Sequence, residues 1–146
     1  MKKMSLLQFR AWVKPDILIN HLNGVIAEAL PNFIYDHCLV LREDLVEDKQ
    51  FEEILDFLDI ELMQSTGLKD KNGVEIFEGD IVAVENHPFQ RKEDSSAGME
   101  IEGDYVVGWN QHDLTWCAGD LLLARLKPYV KVIGNIYENS ELLEEQ

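Results

Sequence analysis

The sequence predicts a mainly β protein of the α+β class: a small mixed α/β part over 1–60, a small β-barrel over 61–137 and an acidic tail over 138–146. Three observations lead there. In "LLQFRAWV", Leu7, Phe9 and Ala11 alternate with Gln8, Arg10 and Trp12, the period of a half-buried strand. Beyond residue 60, short β-favouring runs recur between Gly-rich joints, the pattern of a small barrel. The length of 146 residues and the 46% apolar content suit one domain, or two very small ones sharing a core.

Each element follows from local chemistry. Pro15 ends the first strand. In "ILINHLNGVIAEAL", Asn23 and Gly24 stand between two β-favouring runs and tolerate the positive φ of a two-residue hairpin turn. "FIYDHCLVL" is expected as a third strand. Over 48–59, Phe51, Ile54, Leu55 and Leu58 fall at helical spacing, with Glu52, Glu53, Asp56 and Asp59 on the remaining face. This predicts a short amphipathic helix with Asp48 as its cap. Strands are then expected over 60–64, 81–85, 105–110, 121–126 and 130–137, with the polar segment 86–103 as a long exposed hairpin loop. The tail, with Glu138, Glu141, Glu144 and Glu145 and no basic residue, is expected to fray.

The formal charge of −15, from 28 acidic and 13 basic side chains, repels nucleic-acid phosphates and anionic membranes. No run approaches the roughly 18–20 apolar residues that span a bilayer. Cys38 and Cys117 form no CxxC pair and are expected as reduced thiols, which places the chain in the cytoplasm.

Candidate chemistry centres on "DKNGVEIFEGD". Asp70 and Asn72 match the first and third positions of a calcium loop, but Glu75 stands where Gly is required and Ile81 where the closing Glu is required. A turn explains more: Asn72 and Gly73 reverse the chain, and Gly79 with Asp80 opens the strand "IVAV". On that basis Asp70→Asn is expected to be nearly neutral. Glu78, Asp80 and Asp104 form the alternative, a carboxylate cluster for a metal or for acid–base work, weighed against the commoner turn acids. The four histidines show no HxH or HExxH spacing, and no serine lies in a GxSxG elbow. His37 and Cys38, adjacent on a strand, diverge to opposite faces, so Cys38 is expected to be structural. No cofactor is expected. Tyr105, Trp109, Trp116 and Tyr129 are the candidate ligand-facing aromatics, weighed against a core-filling role. A nucleic-acid platform would also need interleaved Lys and Arg, which are sparse there.

Together, "FRAW" (9–12), "LMQSTGLKDKNGVEIFEGDIV" (62–82) and "VIGNIYENSELL" (132–143) resemble the YopX protein family of phages and prophages of Gram-positive bacteria. The chain departs from the family pattern at Val13, where Asp commonly follows the Trp, and at Ser140, where Pro is common. The resemblance implies a C-terminal SH3-like barrel after a smaller α/β part, and it brings no activity and no catalytic residues. The expected function is therefore a non-enzymatic accessory protein that binds a host or phage protein. In a sharper form, Glu52, Glu53, Asp56 and Asp59 with the acidic tail mimic nucleic-acid charge and occupy a basic site. The rivals are a metal-dependent hydrolase or nuclease at Glu78, Asp80 and Asp104, and a small-barrel nucleic-acid binder. Strand edges and Phe57 also suggest a homo-oligomer.

Overall fold

A computed structural model describes residues 9–14, 25–32, 37–42, 51–92 and 98–144. The chain divides into two compact units, Met1–Ser65 and Thr66–Gln146. The expected hairpin turn at Asn23 and Gly24, the run before it and the Asp48 cap lie outside the described residues.

In the first unit, β1 (Phe9–Val13), β2 (Val25–Asn32), β3 (His37–Arg42), β4 (Phe51–Asp56) and the start of β5 (Ile60–Lys69) form an antiparallel array ordered β4-β3-β2-β1-β5. The alternation read in "FRAWV" is realised: Ala11 and Val13 are buried, while Arg10 and Trp12 are partly exposed. Ala11 stands opposite Ala27 on one side and Leu62 on the other, and Val13 opposite Ile60. Ala11, Val13, Ala27, Ala29, Leu55 and Ile60 form the core, with Phe9 and Leu62 packed on it. The turn before β5 is tied to β1: the Lys14 backbone N–H donates to the Asp59 carbonyl at 3.1 Å, and Nζ donates to the Leu58 carbonyl at 2.8 Å.

The expected helix over 48–59 is not formed. Residues Phe51–Asp56 are a strand, paired residue by residue with β3 from His37↔Asp56 to Arg42↔Phe51, and a 3-10 turn follows at Phe57–Asp59. A helical stripe would bury Leu55 and Leu58 together. The strand buries Leu55 to 8% exposure and leaves Leu58, in the turn, 84% exposed. Helical spacing in a short apolar run is compatible with both states, and here backbone pairing with β3 wins over helix propensity. The side chain of Phe57 lies outside the described residues.

In the second unit the end of β5 is followed by its neighbour β6 (Glu75–Phe77). An antiparallel five-stranded sheet then contains β7 (Asp80–Val84), β8 (Gly103–Asn110), β9 (Thr115–Ala118), β10 (Leu121–Leu122) and β11 (Val130–Asn135), ordered β10-β9-β8-β7-β11. Among the described residues, neither sheet closes into a barrel. The expected strand over 121–126 stops at Leu122. Leu123–Leu126 form one helical turn, α1, because Leu123 and Leu126 at i and i+3 both reach the core, where strict alternation would have sent Arg125 inward with Leu123. A second short helix, α2 (Glu141–Glu144), lies within the tail expected to fray and packs against β8. Among the described residues, no helix is long and apolar enough to cross a membrane.

The central block turns the chain twice. At the first turn Asp70 is buried; its Oδ1 accepts the N–H groups of Asn72 and Val74, each at 2.8 Å, and its Oδ2 accepts the Val132 N–H at 2.9 Å. The Lys71 N–H donates to the Val130 carbonyl at 2.9 Å. Residues 70 and 71 thus satisfy two outward backbone groups of β11, the Val130 carbonyl and the Val132 N–H, on what is otherwise a sheet edge. The expectation that Asp70→Asn is neutral is corrected by this geometry, since an amide would aim its own N–H₂ at donors. At the second turn Gly79 has φ +86°, a conformation that β-branched residues resist. Its N–H donates to the Val107 carbonyl at 2.8 Å, and its carbonyl accepts from Ile136 at 2.9 Å.

Candidate functional site

The β8–β9 hairpin sets two of the four candidate aromatics edge to face. Trp109 and Trp116 stand directly opposite in the register, with ring centroids 5.2 Å apart and planes at 75°. Trp116 packs on the core, whereas Trp109 remains 45% exposed. The tip follows from Asn110, whose Oδ1 accepts the N–H groups of His112 and Asp113 at 2.9 and 3.0 Å. Leu114, at φ +53°, is held 72% exposed beyond it.

The other two aromatics serve packing. Tyr105 donates its hydroxyl to the Ile101 carbonyl at 2.6 Å and lies close above Gly119. Burial, and secondarily the Glu100 charge, push its phenol above the usual tyrosine range. Tyr129 packs on the core and its ring lies 4.8 Å from that of His87. The four expected ligand-facing residues are thus divided: the tryptophans form a pair, and the tyrosines brace the unit.

The acidic set is placed differently from expectation. Glu52, Glu53 and Asp56 lie on strand β4 and Asp59 in the turn after it, so no helix face gathers them. Asp56 is exposed and meets His37 across the strand pair, Oδ1 to Nδ1 at 3.1 Å. Glu78, Asp80 and Asp104 serve separate places in the fold. Asp80 is 1% exposed and its Oδ2 accepts the Phe77 N–H at 2.8 Å, closing the turn around Glu78 and Gly79. Asp104 stands opposite Ala83 on β7. Among the described residues, no group of three or more His, Cys, Asp or Glu is positioned to hold a metal ion. His37 is exposed, Cys117 is a buried free thiol, and the side chain of Cys38 lies outside the described residues.

One charged cluster escaped the sequence reading. Glu85 receives Lys71 at 2.9 Å and Lys131 at 3.5 Å. The Lys71 hydrogen bond and the nearby Lys131 charge hold its carboxyl below the usual glutamate range.

A groove also escaped it. Val106, Gly108, Trp109, Asn110, Gln111, Cys117 and Gly119 line an open trough of about 360 Å³. Cys117 lies directly across from Gly108, and the Gly119 N–H donates to the Val106 carbonyl at 3.1 Å. A Cβ at Gly108 would point into open space. The available signal was a glycine inside an alternating strand, which marks a place of close approach.

The fold defines a mainly β protein built on two antiparallel sheets with few and short helices. The YopX family model, described as YopX protein, matches residues 8–144, and the chain belongs to that family. Among solved structures it is similar to one titled "Crystal structure of protein EF1440 from Enterococcus faecalis", with a TM-score of 0.59 and 26% identity over 94% of this chain and 98% of that one. No curated protein matches the chain.

Proposed function

We propose that this YopX-family chain is a non-enzymatic protein-interaction module, a phage or prophage accessory protein that engages a basic surface on a host or phage protein in the cytoplasm. The observation that carries this reading is the β8–β9–β10 segment. It exposes Trp109, Leu114 and Leu122, and over 103–124 it holds Asp104, Asp113 and Asp120 but no Lys or Arg. Exposed tryptophan is the residue type most enriched in binding hot spots. The net charge of −15 adds steering toward a basic partner and away from nucleic acid. Because β4 is a strand, the acidity that supports this reading is that of the whole surface and of this segment, not of a helix face.

Affinity capture from infected cells tests it, with the parent chain compared against a Trp109→Ala, Leu114→Ser double variant that melts at the same temperature. A specific partner recovered with the parent and lost with the variant is expected. Equal recovery by both overturns the assignment of the hairpin.

A further inference from the structure

We propose that the Asn72–Gly73 peptide is a site of spontaneous deamidation that the Asp70 turn holds shut while β11 is in place, so that release of β11 starts an irreversible change in the turn. This concerns the scaffold and stands apart from the interaction-module reading of the β8–β9–β10 segment.

The chemistry is local. An asparagine followed by glycine meets no Cβ on the next residue that would hinder ring closure. The Gly73 amide nitrogen, once deprotonated, attacks the Asn72 Cγ; a C–N bond forms, the bond from Cγ to the side-chain nitrogen breaks, and that nitrogen leaves as ammonia. The cyclic imide then takes up water and opens at either carbonyl, giving aspartate or isoaspartate, the latter with the main chain rerouted through the side-chain Cβ. Water is the co-reactant, and both residues are exposed to it.

The fold decides when this happens. Attack requires a free Gly73 nitrogen on a backbone able to swing it toward the Asn72 side chain. The Gly73 N–H is instead engaged by the Asp70 carbonyl at 3.0 Å, and an amide held in this way reacts only through a locally opened form. On either side, the Asn72 and Val74 N–H groups are fixed on Asp70 Oδ1 at 2.8 Å each, and the Asp70 N–H donates to the Val74 carbonyl at 2.8 Å, so the residues that must rotate are clamped at both ends. The clamp is itself held from β11, through the Val132 N–H on Asp70 Oδ2 and the Lys71 N–H on the Val130 carbonyl, each at 2.9 Å. Nothing shields the site sterically, since a Cβ at Gly73 would meet no atom within 4 Å. Protection therefore comes from hydrogen bonds and not from burial, and it lasts as long as β11 stays docked. The products prevent re-closure. Isoaspartate inserts a methylene between the Asn72 and Val74 N–H groups that one carboxylate oxygen now accepts together, and aspartate adds a second carboxylate to the turn that Asp70 closes.

The test follows Asn72 by peptide mapping with mass spectrometry in mildly alkaline buffer, which separates it from the other Asn–Gly pair, Asn23 and Gly24. The folded parent chain is compared with a synthetic peptide of residues 66–78, with Asp70→Ala, and with the parent chain in urea below its unfolding midpoint. The parent should lose the amide at least about tenfold more slowly than the peptide, and both Asp70→Ala and urea should move the rate toward that of the peptide. A melting curve confirms that Asp70→Ala is folded, and the urea arm keeps the test decisive if it is not. A parent rate equal to that of the peptide overturns the proposal, because the turn then protects nothing. A slow rate that neither folded Asp70→Ala nor urea raises overturns it as well, because the β11 clamp is then not what holds the site shut. The deamidated chain, separated by anion exchange, should melt below the unmodified one; equal melting overturns the irreversible step.

Discussion

The five-stranded sheet ends in β11 on one side and β10 on the other, and the two ends are finished by different chemistry. At β11 two outward backbone groups are taken up by a turn from a distant part of the chain: Lys71 N–H meets the Val130 carbonyl, and the Asp70 carboxylate meets the Val132 N–H. At β10 the edge is kept to two residues and then abandoned for the helical turn α1. The first end is built from the blocks that carry the family resemblance, and their polar groups are consumed in closing the fold. The second end carries no motif, and the β8–β10 segment that leads to it exposes Trp109, Leu114 and Leu122. What makes the family recognisable is therefore the scaffold, while the surface proposed here for a partner lies in the stretch between the blocks.

The largest expected effect comes from removing the cap of the β11 end. Asp70→Ala leaves three N–H groups without their acceptor and should cost about 2–4 kcal/mol in urea unfolding, with Asp70→Asn intermediate at about 1–2 kcal/mol. A loss below about 1 kcal/mol for the alanine variant would show that water replaces the carboxylate and that the cap is dispensable. Next is Gly79→Val, which forces a β-branched residue to the φ of +86° and should cost about 1–3 kcal/mol. An unchanged melting temperature would remove the strained turn from the account.

The opposite end should respond in the opposite way. Trp109→Ala forfeits an edge contact and a half-exposed ring, so a stability loss of about 1 kcal/mol is expected together with loss of partner capture. A loss of several kcal/mol measured by thermal unfolding would instead make Trp109 part of the scaffold. The smallest effect belongs to Glu85. Its carboxyl is held low by Lys71 and Lys131, so its contribution is present above the usual glutamate range and fades as the pH falls through that range toward the lowered value. Because the group is exposed, Glu85→Gln should move the melting temperature at pH 7 by no more than about 1 °C, and by less at pH 3. A larger shift at acid pH than at neutral pH contradicts the sign.

Period-two patterning was legible in "FRAWV", which buries one face, while β7, β8 and β11 were legible as β-favouring runs between turn residues. It failed at β4, where Phe51, Ile54, Leu55 and Leu58 satisfy helical spacing equally well and only the neighbouring β3 decides. It failed again after Leu122, where a run of leucines suits a strand until Leu123 and Leu126 turn out to share a helical face. The Asp70 turn was recognisable as a turn from Asn72 and Gly73. Its second role was not, since the Val132 N–H that it accepts lies 62 residues away and no local pattern encodes that pairing. The groove over Gly108 is of the same kind, because it exists only once the register sets Gly108 against Cys117.

That separation of 62 residues also sets an order of assembly. As the chain leaves the ribosome, the Asp70 turn emerges long before Val132 exists, so the β7–β8–β9 hairpins can form while the far side of β7 has no neighbour. Closing so large a loop is entropically slow. Until β11 arrives, the nascent unit displays a row of unpaired N–H and C=O groups along β7 and an aspartate with an unfilled carboxylate oxygen. The arrival of β11 seals the new edge in the same event that covers the old one.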